Sequence, residues 1–159
     1  MINELNEIIE LYDDFIFVNE QDVTQLIAVK ENKNTIKINF NGSNISGLFF
    51  IFNNKLNSQC QELINNLVTK AIKINMDDVV TVCLSENPEL TFSLLENQLL
   101  PKKIIIWGSN EWVAEIQTIP YQEQKIQDVR ILLVDDVNLF ISDIALKTKL
   151  WNTIQILLK

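Results

Sequence analysis

The sequence predicts an α/β fold, a three-layer α/β/α sandwich on a mainly parallel four-stranded sheet, with an N-terminal helix and an extra edge strand. Four short runs within residues 47–134 are apolar on both faces, which is typical of parallel strands covered by helices on both sides. The segments between these runs show helical spacing of apolar residues. A chain of 159 residues, 47% hydrophobic and 21% charged, is long enough to bury one core.

Residues 1–44 are predicted to hold the N-terminal helix and the edge strand. Helical spacing in residues 3–18 places one set of apolar side chains opposite the acids: Leu5, Ile8, Ile9, Leu11, Tyr12, Phe15 and Ile16. This amphipathic helix either covers the sheet or docks on another protein. Residues 35–40, "TIKINF", alternate like a half-buried strand and lead into a turn at residues 41–44.

The core, residues 45–159, is predicted to alternate strands and helices. The strands are the apolar runs at residues 47–52, 79–84, 103–107 and 130–134. The helices are expected at residues 59–73, 89–98 and 141–158, with a helical turn at 109–116 and a loop through Pro120. Ser58 and Asn87 are the expected N-caps of the first two helices. This alternation favours a mainly parallel sheet, and since no linker divides the chain we expect a single domain.

Polar side chains follow each core strand, where ligands bind in open α/β sheets. They are Asn53, Glu86, Ser109, Asn110, Asp135 and Asp136. In a ligand pocket the three acids would act as metal ligands or acids, and the others would position the ligand. Asn, Ser and Asp are also the residues that turns and helix caps require, and we favour that interpretation.

Residues 131–138, "ILLVDDVN", resemble the strand end of a response-regulator receiver domain, where two acids hold magnesium beside a phosphoacceptor. In that family the acidic pair follows the first strand, and a phosphoacceptor aspartate and a lysine come later. Here one helix takes up the residues that remain. We therefore expect Asp135 and Asp136 to form the turn into the last helix.

Trp107 and Trp112 bracket the third strand exit. They form either an aromatic patch for a partner or part of the core beneath a loop. Cys60 and Cys83 are too few for a disulfide framework or a zinc site and are expected to be small buried hydrophobes. The chain has no histidine and three glycines, which argues against most hydrolytic mechanisms and against a phosphate loop. We therefore predict no catalytic residue, no metal and no cofactor.

The net charge of −8 argues against direct binding of nucleic acid, which requires clustered Lys and Arg. No run of eighteen apolar residues and no basic start of a signal peptide occur in the sequence. We therefore expect a soluble, cytoplasmic protein that makes no membrane contact and has other proteins as partners.

Residues 47–159 resemble the psi subunit of bacterial DNA polymerase III, an accessory protein of the clamp loader. The likeness lies in "GLFFIF", the helix at 59–73, "MDDVVTVCLSENPEL", Leu100-Pro101 before the next strand, and "ALKTKLWNTI" with Leu150-Trp151 in the last helix. The resemblance implies the fold of uracil-DNA glycosylases without their activity. Asn53-Asn54 and residues 135–138 stand where those enzymes have their water-activating and histidine-containing motifs.

Psi engages the clamp loader through an N-terminal segment and binds the chi subunit, which contacts single-strand-binding protein. The corresponding segment here, residues 1–18, is acidic. The resemblance implies a non-enzymatic interaction protein that bridges replication proteins and has clamp-loader subunits as partners. Two alternatives stay open: a small-ligand or metal-dependent α/β enzyme with its site at the strand exits, and a homodimer.

Overall fold

The computed structural model describes residues 36–159, except for the side chains of residues 113 and 114. The predicted N-terminal helix lies outside the described residues. The strands are β1 Phe40–Asn41, β2 Leu48–Phe52, β3 Val80–Cys83, β4 Lys103–Trp107, β5 Gln124–Ile126 and β6 Val129–Val134. The α-helices are α1 Ser58–Asn66, α2 Phe92–Leu99, α3 Glu111–Ile116 and α4 Ile144–Leu158. A π-helical segment, Leu67–Ile72, continues α1, and short 3₁₀ turns lie at Met76–Asp78, Leu84–Glu86 and Val137–Phe140.

The described strands form one mixed sheet of six in the order β1-β3-β2-β4-β6-β5. β3, β2, β4 and β6 pair in parallel, whereas β1 and β5 pair antiparallel at the two edges. The α/β class is confirmed, but the prediction of a mainly parallel four-stranded sheet is wrong. β5 was missed because Gln-Lys-Ile carries a single apolar residue, and the turn to β6 has Gln127 at positive φ instead of the usual Asn or Gly.

The edge strand β1 shares only Phe40 with the strand predicted at residues 35–40, since residues 36–39 have no regular secondary structure and residue 35 lies outside the described residues. The backbone N–H of Asn39 donates to the Asn87 side chain at 2.7 Å, just before the ladder with β3 begins. Beyond β1 the chain turns at Gly42, which has φ +91°. A Cβ atom at Gly42 would lie 2.0 Å from the carbonyl oxygen of Val79, so only glycine fits this turn.

Helices cover both faces of the sheet. On one face α1, its π-helical continuation and α4 pack over Phe50, Trp107 and Leu132. On the other face α2 and Trp112 of α3 pack over Phe49, Ile104 and similar side chains. β2 is buried on both faces, as its continuous apolar run predicts. β3 instead alternates between buried valines and the half-buried Thr81 and Cys83.

Two helices have N-caps other than the predicted ones. Asn57, not Ser58, caps α1 by accepting from the Cys60 N–H at 2.9 Å. Thr91, not Asn87, caps α2, and the helix begins at Phe92. Asp143 caps α4. Among residues 36–159, no helix has both the length and the apolar character that crossing a bilayer requires.

Candidate functional site

The strand order places a topological switch between β2 and β4. From β2 the chain passes through α1 to β3 on one side, and then through α2 to β4 on the other side of β2. Ligands of open α/β sheets bind outside the carboxyl ends of the strands where such a reversal occurs. The crevice between the ends of β2 and β4 is therefore the place where a site is expected.

Asn53, the residue after β2, bridges this crevice. Its Nδ2 donates to the carbonyl oxygen of Ser109 at 3.0 Å, and its Oδ1 accepts from Nδ2 of Asn110, also at 3.0 Å. Gly108 passes close by with φ +88°, and a Cβ there would lie 3.0 Å from Asn53 Nδ2 and 3.4 Å from Asp136 Oδ2. The structure thus brings four of the predicted site residues, Asn53, Ser109, Asn110 and Asp136, together at the end of β4.

Asp136 forms the turn that follows β6. Its Oδ1 accepts from the backbone N–H of Asn138 at 3.0 Å and from Asn138 Nδ2 at 2.6 Å. These bonds cap the 3₁₀ turn Val137–Phe140. The expectation that "ILLVDDVN" ends in a capped turn is therefore confirmed for Asp136.

A cavity of about 120 Å³ lies beside this turn, lined by Asn53, Cys60, Trp107, Asp136 and Asn138, among others. The Cys60 thiol donates to Asn138 Oδ1 at 3.2 Å. Burial, and then the nearby charge of Asp136, raise the pKa of Cys60. The thiol is therefore protonated at neutral pH, which makes it a poor nucleophile and a poor metal ligand.

Asp135 points to a different environment, where its Oδ2 accepts from the Tyr121 hydroxyl at 2.6 Å. Burial raises the pKa of Tyr121, and the hydrogen bond to Asp135 raises it further. The Lys149 ammonium lies 3.9 Å from the centroid of the Tyr121 ring. These contacts attach the loop before β5 to the end of β6 and to α4.

Glu86 lies away from both aspartates. It lines a cleft of about 420 Å³ beside β3 and α1, where it pairs with Lys55 at 3.7 Å; this cleft adjoins the cavity beside Asp136, and Lys55 lines both. Both side chains are exposed, so this ion pair adds little stability. The three predicted acids, Glu86, Asp135 and Asp136, therefore do not converge. Within the described chain, no group of three Cys, Asp or Glu side chains is arranged to hold a metal ion.

Both tryptophans are buried, which favours packing over partner contact. Trp107 lies in an aromatic cluster, with ring centroids 5.6 Å from Phe50 and 5.8 Å from Phe140. The Trp112 indole N–H donates to the carbonyl oxygen of Leu90 at 3.1 Å. Cys60 was not among the predicted site residues, because only the tertiary fold brings α1 next to the turn after β6.

The chain matches no protein-family model, and no curated protein matches it either.

Proposed function

We propose that this chain is a non-enzymatic protein interaction subunit, similar to the psi subunit of the polymerase III clamp loader. The observation that carries the proposal is an apolar groove of about 580 Å³ between α1, with its π-helical continuation, and the start of α4. Its apolar lining consists of Leu63, Leu67, Ala71, Ile141 and Leu150. We call this surface the α1–α4 groove.

Two exposed apolar side chains lie close to Ile141 of the α1–α4 groove in the chain, Leu139 before it and Ile144 after it. Leu139 is 55% exposed and Ile144 is 79% exposed. A single exposed apolar residue is ordinary on a protein surface, but apolar side chains grouped around an apolar groove are typical of a surface that a partner covers. Lys70, Lys147 and Glu62 also line the groove, and this excess of one positive charge would suit an acidic group at the rim of that partner.

The bonds at the strand exits support a non-enzymatic role. The Asn53 amide joins two strand exits, Asp136 caps a turn, and Asp135 accepts from Tyr121. A general acid–base pair needs two titratable groups directed at one substrate. Here the acidic side chains act in separate structural contacts.

The proposed partners are subunits of the clamp loader, as the resemblance to psi implies. Such a subunit would act in the cytoplasm, where replication takes place, and a partner would contact the nucleic acid for it. The net charge of −8 supports this division of roles.

The test is affinity purification of the tagged full chain from its own host, with mass spectrometry of the captured proteins. We expect to recover clamp-loader subunits in a fixed ratio. Their binding should survive washing with roughly 0.5 M salt, because ions do not screen contacts in an apolar groove. Recovery of the untagged chain alone would point to a homodimer and contradict the proposal. Recovery of no replication protein would also contradict it.

A further inference from the structure

Two rows of side chains line the α1–α4 groove on the side of α1. Neighbours within each row are four positions apart in the sequence. The first row consists of Gln59, Leu63, Leu67 and Ala71, and the second of Glu62, Asn66 and Lys70. Both rows begin in α1 and continue into the π-helical segment Leu67–Ile72. One continuous wall of the groove therefore spans the junction between the two kinds of helix.

The π-helical segment turns these rows back towards the direction of the helix axis. An α-helix has about 3.6 residues per turn, so side chains four positions apart drift around it, and their rows lie about 26° from the axis. The π-helical segment bonds residues five apart, as the Lys73 N–H does with the carbonyl oxygen of Val68. Four residues there make less than one turn, so the drift is reversed. The wall is therefore straighter than that of an α-helix of equal length.

The walls of the groove favour a helical occupant. One wall is α1 with its π-helical continuation, and the other is mainly α4. The backbone N–H and C=O groups inside these helices bond to one another, so an extended segment in the groove would bury its own backbone groups unpaired against Leu63, Leu67 and Leu150. A helix satisfies its backbone internally, and its ridges of side chains fit between the two rows.

Charged side chains distinguish the two ends of the second row. Glu62 lies in α1, whereas Lys70 lies further along, in the π-helical segment, and Lys147 adds a positive charge from α4. A partner with a basic side chain near Glu62 and an acidic one near Lys70 would match both ends. The net charge of −8 would repel a second copy of the chain, so the charges favour a different protein as the occupant.

We propose that the partner docks an amphipathic helix of about three turns in the α1–α4 groove, with an acidic residue facing Lys70 and a basic residue facing Glu62. From Gln59 to Lys70 the wall is about 16 Å long at about 1.5 Å per residue, which equals three turns of an α-helix. The apolar face of the partner helix covers Leu63, Leu67 and Leu150. This inference rests on the proposed interaction function and specifies which element of the partner binds.

The experiment is photo-crosslinking of the tagged full chain in its own host. A photoreactive amino acid replaces Gln59 in one variant and Lys70 in another, and both should fold because both side chains are exposed. Mass spectrometry then identifies the linked residues. A docked helix places the two linked positions about eleven residues apart in one segment of a clamp-loader subunit, because a helix rises about 1.5 Å per residue. The same probe at Asn65, exposed on α1 but lining the cleft beside β3, should not reach that segment.

The other outcomes separate this inference from the proposed function. An extended segment covers the same distance with about five residues, so linked positions about five apart would overturn the docked helix and leave the interaction function standing. Links to two unrelated segments of a clamp-loader subunit, or equal links from Asn65, would also overturn the docked helix alone. Links only between two copies of the chain, or to no replication protein, would contradict both proposals.

The variant Lys70→Glu tests the charge contact at one end of the groove. Lys125→Glu, at an exposed position on β5, changes the net charge by the same amount and is the control. We expect Lys70→Glu to capture about fivefold less of the partner, because an exposed ion pair is lost and like charges meet. Lys125→Glu should capture as much as the unmodified chain. Equal capture by the two variants would refute the acidic residue assigned to the partner helix.

Discussion

Replacing Asn87 by alanine tests how the first strand is attached to the sheet. Asn87 is 7% exposed, and its side chain makes three hydrogen bonds. Its Oδ1 accepts from the Asn39 N–H at 2.7 Å, and its Nδ2 donates to the carbonyl oxygens of Asn39 at 2.9 Å and Cys83 at 2.8 Å. One side chain thus joins the segment before β1 to the end of β3.

The expected cost follows from these contacts. A hydrogen bond contributes about 0.5–1.5 kcal/mol net, and Asn39 is exposed enough to be rehydrated, so Asn87→Ala should lower the free energy of unfolding by about 2–3 kcal/mol. In a chain of this length that corresponds to a fall in Tm of about 5–10 °C. Asn87→Asp should cost more at neutral pH, because a carboxylate oxygen would face two carbonyl oxygens.

Urea unfolding of the two variants measures these differences, with Asn152→Ala as the control. Asn152 is exposed on α4, and its replacement should change the free energy of unfolding by less than about 0.5 kcal/mol. The slope of the free energy against urea should stay constant, since the folded unit is unchanged. An Asn87→Ala variant as stable as Asn152→Ala, or an Asp variant more stable than the Ala variant, would refute the reasoning.

Three further substitutions test other contacts. Gly42→Ala should destabilise the fold by about 3 kcal/mol or more in thermal unfolding, because its Cβ would collide with a backbone carbonyl at positive φ; a near-neutral result would contradict the turn geometry. Arg130 donates two hydrogen bonds to Glu123 and holds the pKa of that carboxyl below its ordinary value of 4.5. The ionised pair therefore stabilises the fold above that value, and this stabilisation is lost as the pH falls through the lowered pKa. Glu123→Gln should flatten the dependence of stability on pH below about pH 5, and an unchanged slope would contradict this. Tyr121→Phe should cost about 1–2 kcal/mol in urea unfolding by removing the bond to Asp135, and a cost near zero would show that this bond contributes nothing.

The apolar runs made the core strands predictable. β2, β4 and β6 each begin and end within one residue of the predicted bounds, because four or more adjacent apolar side chains are best buried inside a sheet that helices cover on both faces. β3 was harder to interpret, since its run looked continuous although Thr81 and Cys83 are only half-buried. β5 is too short and too polar to be recognised from its composition, and pairing with β6 alone defines it.

The candidate site was predictable only in part. Asp136 was predicted correctly as a turn and cap residue. Short polar side chains accept from nearby backbone N–H groups, so local sequence indicates this role. Asn87 was expected to cap a helix and instead joins two strand segments. That contact links residues 48 positions apart, and local spacing carries no information about such distances.

The most direct test of the proposed interaction function compares two isoleucines of similar exposure. Ile144, which lies in the chain between Ile141 and Lys147 of the α1–α4 groove, is 79% exposed, and Ile45, before β2, is 76% exposed. Tagged Ile144→Glu and Ile45→Glu chains are used to capture proteins from the native host, and both should fold because neither side chain is buried. We predict that Ile45→Glu retains the captured subunits and that Ile144→Glu loses at least about tenfold of them, since a charge would enter an apolar interface. Equal capture by the two variants would contradict docking at the groove.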